Sequence, residues 1–248
     1  MNGGKATSAA RWVWCSSIVL ALACGARLPN ATSTEAESHV EMEFAEAPRP
    51  FSPSEKALVM QIAERTFQEV RTHLPRVPAS VVLGVRAGSD VIDATGEAAF
   101  VVPPNHVQWT IDPGRKEGVL GIVSTQLRPT LFHELLHLAR ATVVTNETLM
   151  DSVIDEGLAT VFERDVAGSN VPWGTYPSEV VAWVKELKAQ HSSANRSKWL
   201  IAHPDGRRWI GLRAGTYLVD QAIAKSGRSV QELAILSTAE VLRLALGD

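Results

Sequence analysis

Apolar residues at Leu58, Ile62, Phe67 and Val70 form an approximate helical stripe that predicts a helix reaching about His73. The segment before it, Ser52-Pro53-Ser54-Glu55-Lys56, has the chemistry of a helix start, so folding is expected to begin at Ser52 or Ser54. Pro75 to Pro78 ends the pattern. Val81-Val82-Leu83-Gly84-Val85 is an unbroken apolar run and predicts a buried strand. Phe100-Val101-Val102 predicts a second, shorter one. Val107-Gln108-Trp109-Thr110-Ile111 alternates apolar with polar, which predicts a half-exposed strand, closed by the turn residues Asp112-Pro113-Gly114. Beyond about Pro129 the pattern turns helical. Helices are expected over 129–141, with Pro129 at the first helical position, over 147–166 up to Gly168, over 178–190, and over 212–225 up to Gly227. One or two short helices follow Ser229. Strands first and helices afterwards predict an α+β fold, a small sheet followed by a mostly helical C-terminal half.

The N-terminal region changes the picture of where this domain starts. Lys5 and Arg11 precede an uncharged apolar run from Trp12 to Cys24, too short for a spanning helix, which needs ~20 residues. Residues 1–23 therefore read as a secretory signal peptide. Leu20-Ala21-Leu22-Ala23-Cys24 resembles a bacterial lipobox, although Ala21 stands where that signal usually has a larger aliphatic residue. The resemblance implies a lipid on Cys24 as the sole membrane attachment. Ordinary cleavage after Ala-x-Ala is the alternative. Either way the chain is expected to be exported to a bacterial cell envelope. Residues 24–50, acidic and Pro-containing, are expected to be a disordered tether, with 51–248 a single domain. The net charge of -3 speaks against a nucleic-acid partner, which calls for a clustered basic surface. Both cysteines, at 15 and 24, lie in the signal region ahead of the expected domain, so any metal in the folded part must be held by His and carboxylate.

Such a set is present. His133-Glu134-Leu135-Leu136-His137 places two imidazoles four residues apart, hence on one helix face, where both can reach one ion. Glu134 is rotated by about 100° from His133, toward the side where a water would meet the ion. Leu131, Phe132, Leu135, Leu136, Leu138 and Ala139 make the rest of this helix apolar, so from Leu131 on His133, Glu134 and His137 form its only polar stripe before Arg140. Buried polar groups need partners, and a metal with its water satisfies all three. Core histidines bonded to protein are the bland alternative. Glu156, eighteen residues beyond His137 on the next helix, is the candidate third ligand. Two His and one Glu with an open fourth position is the donor set of a catalytic zinc site.

The spacing of His133-Glu134-Leu135-Leu136-His137 and Glu156-Gly157-Leu158-Ala159 resembles the gluzincin metallopeptidases, and the region from Ser54 onward resembles a small bacterial family of predicted zinc-dependent proteases. The resemblance implies a zincin-like fold and Zn2+ as cofactor. It implies amide-bond hydrolysis in a peptide or protein substrate by water that the metal activates, with Glu134 as general base. Thr160 departs from the thermolysin branch, which has Asp there. Glu163, seven residues after Glu156, is expected either to accept from a ligand imidazole or to be a solvated carboxylate. Tyr217 is the expected donor to the oxyanion, with His203 and Arg213 as rivals. By the same resemblance, the strand over 107–111 is expected to be a sheet edge that pairs with extended substrate. A zinc-retaining envelope protein without turnover, and a non-peptidase zinc amidohydrolase, are the competing readings. Oligomeric state is not legible.

Overall fold

The computed structural model describes residues 38–191 and 194–247; the expected signal peptide and Cys24 lie outside them. Helix α1 (Pro53–His73) starts where the composition pointed. The Ser52 hydroxyl accepts from the Glu55 N–H, and the Glu55 carboxylate accepts from the Ser52 N–H, a reciprocal cap.

Residues 38–50 correct the tether expectation. Strand β1 (His39–Phe44) lies parallel to β2 (Ser80–Ala87), from His39 opposite Ser80 to Phe44 opposite Val85. Val40, Met42 and Phe44 pack against the core, whereas Glu41 and Glu43 are exposed. The acidic composition therefore belongs to one face of a strand with period two. The chain then folds back, with the Phe44 and Phe51 rings 5.7 Å apart and Arg49 paired to Glu55.

β3 (Glu97–Val102) and β4 (His106–Ile111) complete a mixed four-stranded sheet of order β1-β2-β4-β3. β4 is parallel to β2 on one side and antiparallel to β3 on the other. The expectation that 107–111 forms an edge strand is overturned: β4 is interior, and β1 and β3 are the edges. β4 is also less exposed than the alternation implies, its polar face being open only in part, at His106 and Gln108. Val107, Trp109 and Ile111 are fully buried and Thr110 nearly so, while the Gln108 amide donates to the Gly84 carbonyl across the sheet. Of the polar positions in the alternation, Gln108 turns its amide to the sheet although part-exposed, and Thr110 is buried.

α2 (Gly118–Ala141) begins well before Pro129, which lies inside it rather than at its start. The upstream residues Val119, Ile122, Val123 and Leu127 are buried at helical spacing and carry the helix through. Proline deprives the carbonyl four residues back of its donor. That residue, Thr125, is exposed, so water is within its reach.

α3 (Leu149–Ala167) is capped by Thr148 with Asp151 and stopped by Gly168 in the left-handed conformation. α2 and α3 run antiparallel: Arg128 donates to the Ala167 carbonyl at one end, and His137 meets Asp155 at the other. A 3-10 turn at Pro172–Gly174, α4 (Val180–Lys188) and α5 (Arg196–Leu200) lead to α6 (Ile210–Ser226), and α7 (Val230–Ala234) and α8 (Thr238–Leu246) close the chain. The 3-10 turn and α5 were not legible in the pattern; α4, α6 and the short helices after Ser229 follow it. α6 lies beside α3 in parallel, with Gly215 against Gly157 and Asp220 paired to Arg164. A Cβ on either glycine would overlap the other helix's backbone, so only this pair permits so close a crossing. The whole is α+β and consistent with a zincin-like arrangement. Among the described residues no helix is long and apolar enough to cross a membrane.

Candidate metal centre

The second half of α2 is buried nearly all round: Leu131, Phe132, Leu135, Leu136 and Leu138 are at most 2% exposed. Helical spacing turns His133 and His137 to one side, their rings 4.8 Å apart and edge-on. α3 returns antiparallel on that side and brings Glu156 between them. Glu156 Oε2 lies 3.3 Å from His133 Nε2 and 4.0 Å from His137 Nε2. The three side chains each offer a ligand atom, all within 4.8 Å of one another.

Each imidazole is also held from behind. His133 Nδ1 lies 3.0 Å from Glu163 Oε2, and His137 Nδ1 lies 3.0 Å from Asp155 Oδ2. A carboxylate at Nδ1 fixes the tautomer that leaves Nε2 with its lone pair directed at the common point. Glu163 is buried and accepts a second bond from the Ser169 hydroxyl at 2.6 Å, which excludes the solvated alternative for it. Asp155 was not foreseen. Two imidazoles that bind one ion need two acceptors behind them, and that count was the available signal.

The donor chemistry fits a divalent ion. Two neutral imidazoles and one carboxylate form a set suited to zinc, with room for a fourth group. The charge balance points the same way: Glu134, Asp155, Glu156 and Glu163 crowd a largely buried site, in which Asp155 pairs with buried Arg140 at 3.3 Å. Without an ion this carboxylate excess falls on the histidines. Burial would depress the His133 pKa, but Glu156 and Glu163 beside it hold it well above the ordinary value. His137 is likewise raised, burial being outweighed by Asp155 and Glu156. Burial lifts the Glu134 carboxyl above its usual range, with His133 and His137 opposing and Glu156 and Glu163 adding.

A fifth carboxylate lies close by. Glu97, on the edge strand β3, is buried and accepts from the Trp109 indole N–H at 2.8 Å. Burial pushes its pKa up to about 7, the Trp109 bond opposing and the charges of Glu163 and Glu134 contributing.

Tyr217 is partly buried on α6 and stands edge-on to Tyr176, with centroids 5.3 Å apart. Tyr176 in turn interacts with Asp220, the partner of Arg164. The rivals have other ring partners. Arg213 stacks on Trp209, and His203 stacks on Trp199 and pairs with Asp205 at 2.8 Å.

No curated protein and no solved structure matches this chain. A family model described as predicted Zn-dependent protease does match, over residues 59–243, a span that takes in α2, α3 and all the side chains gathered around Glu156. On that match the chain belongs to this family of predicted zinc-dependent proteases (DUF2268).

Proposed function

We propose that this chain is a zinc-dependent peptidase of gluzincin type, with His133, His137 and Glu156 as the ligands of the ion and Glu134 as the general base. The observation that carries the reading is the convergence of three donor atoms within 4.8 Å, from two antiparallel helices, next to a buried carboxylate that none of them uses. A bound zinc ion supplies Lewis acidity, which acidifies water and polarises a carbonyl oxygen. The protein's own groups do the rest. Glu134 accepts a proton from the attacking water and delivers it to the leaving amine. Burial raises its pKa, which strengthens it as a proton acceptor. Glu163 and Asp155 hold the two imidazoles so that neither turns when the site changes charge.

Tyr217 is our candidate for the donor to the developing oxyanion. The choice rests on the resemblance to the gluzincins, whose chemistry needs an oxyanion donor beyond the metal. Tyr217→Phe should then lower kcat by roughly 10²–10³-fold with little change in metal content. The expected substrate is a peptide or protein met outside the cytoplasm, as the N-terminal sequence pattern suggests.

The test is digestion of a broad peptide library by purified protein, with and without a chelator, alongside metal analysis. Chelator-sensitive cleavage with about one zinc per chain is expected. Full cleavage by metal-free protein would end this reading.

A further inference from the structure

Arg140 lies on α2 one turn beyond His137 and is only 3% exposed. Its guanidinium divides between two distant parts of the chain. Nε faces Asp155 Oδ1 at 3.3 Å. Nη1 donates to the carbonyls of Ala234 and Leu236, both at 2.8 Å, where α7 ends and the link to α8 begins. Asp155 is itself a junction. Its other oxygen, Oδ2, faces His137 Nδ1 at 3.0 Å and accepts from the Asn146 amide at 3.4 Å. A continuous line of polar contacts therefore runs from the C-terminal carbonyls through Arg140 and Asp155 to a ligand imidazole.

We propose that Arg140 is a positioning residue for the metal site, pinning Asp155 while it grips the Ala234 and Leu236 carbonyls, so that the setting of His137 depends on the docking of the α7–α8 segment. The inference rests on the zinc reading above. The physical ground is the stiffness of a guanidinium fork. A buried arginine presents several donors in fixed directions, so the position of its carbonyl partners determines where Nε points. Asp155 has no other cation within pairing distance among the described residues, and a buried carboxylate follows its counter-charge. His137 in turn takes its ring orientation from Asp155. Two helices that contribute no ligand thereby become part of the metal site's affinity.

A purely structural role would have Arg140 tie α7–α8 to α2 with no influence on the ion. Zinc affinity separates the two. Each variant is stripped, its folding checked by circular dichroism, and zinc titrated against a chromophoric chelator below its melting temperature. Arg140→Met should weaken zinc by roughly 10–100-fold, and Asp155→Asn by a similar factor. The double variant should bind no more weakly than Asp155→Asn alone, because Arg140 acts through Asp155. Arg140→Lys keeps a buried cation without the fork, and it is the variant that decides if Arg140→Met does not fold. It should fold and still lose several-fold in affinity. An Arg140→Lys protein that binds zinc as tightly as the unaltered chain would overturn the proposal, as would losses that simply multiply in the double variant. Failure of the unaltered chain to bind zinc is a different result, and it would remove the peptidase reading itself.

Discussion

Glu134 and the three side chains beside it separate two properties that most substitutions would confound. Glu134 is buried on the same helix as the two histidines but is not one of the three converging donors. Glu134→Gln is therefore expected to keep its zinc and lose about 10²–10⁴-fold in kcat, whereas His133→Ala and Glu156→Ala should lose the ion. Metal analysis beside a peptide assay reads both, and normal cleavage by Glu134→Gln would unseat the base. Glu97 gives a second test at this scale, on stability. Its carboxyl titrates near 7 in the folded protein and has an ordinary value of 4.5. Between those pH values the folded state keeps a proton that the unfolded state has released, so this group's contribution to stability falls as pH climbs from 4.5 to about 7, and is level above that. Glu97→Gln can still accept from Trp109 but does not titrate. The metal-free variant should gain on the unaltered protein between pH 5 and pH 8, by on the order of 1–3 kcal/mol. Thermal melts of both at the two pH values measure this, and an equal offset at each would show that Glu97 is not the titrating group. The sequence disclosed part of this network. His133 and His137 could be placed together because one helix turn separates them. Glu97, Arg140 and Asp155 could not, because their roles come from contacts with residues at 109, 234 and 236, and with an imidazole on another helix, which no local spacing encodes.

Among the elements, the pairing of α3 with α6 sets where Glu156 stands. The helices meet at Gly157 and Gly215, and a Cβ at Gly215 would overlap the Val153 carbonyl oxygen. Backbone cannot yield as a flexible side chain can, so Gly215→Ala must push the helices apart. It is expected to cost about 1–3 kcal/mol and to weaken zinc binding, since α3 carries Glu156 next to the contact. Gly227→Ala is a useful control. That glycine ends α6, which it caps in the left-handed conformation with open space around it, so its replacement should cost stability and leave the metal site alone. Equal zinc affinity in Gly215→Ala and the unaltered chain would show that α6 does not set the position of Glu156. α3, α6 and α7 were readable in part because each carries its own stop or start: Gly168 and Gly227 in the left-handed conformation, and Ser229 as a reciprocal cap. The failures were of a different kind. β1 hid its alternation under acidic residues, and α2 concealed its first three turns behind a proline that reads as a helix start. β4 showed an alternation in which Gln108 bonds across the sheet and Thr110 is buried. In each case tertiary pairing overrode a local signal.

For the molecule as a whole, the proposed ligands bridge two helices that between them touch most of the fold. α2 packs on α1 and on the sheet, and α3 packs on α2 and α6. An ion that joins His133 and His137 on α2 to Glu156 on α3 would therefore fasten the sheet-bearing part of the structure to the helical part. Unfolding must break that bridge, so zinc that binds only the folded chain adds RT ln(1 + [Zn]/Kd) to stability, about 2.7 kcal/mol at a free concentration of 100 Kd. For a domain of this size each kcal/mol shifts Tm by roughly 2–4 °C, which places the expected rise at about 5–11 °C over chelator-treated protein. Magnesium should not reproduce it, because a hard cation gains little from two imidazoles and demands oxygen ligands. The gain must also vanish in Glu156→Ala, where zinc has no bridge to α3, whereas Glu134→Gln should keep it. Melting curves across that set join the metal site to the fold by a measurement that does not depend on any substrate. A zinc-dependent rise that persisted undiminished in Glu156→Ala would mean that the ion binds elsewhere on the protein.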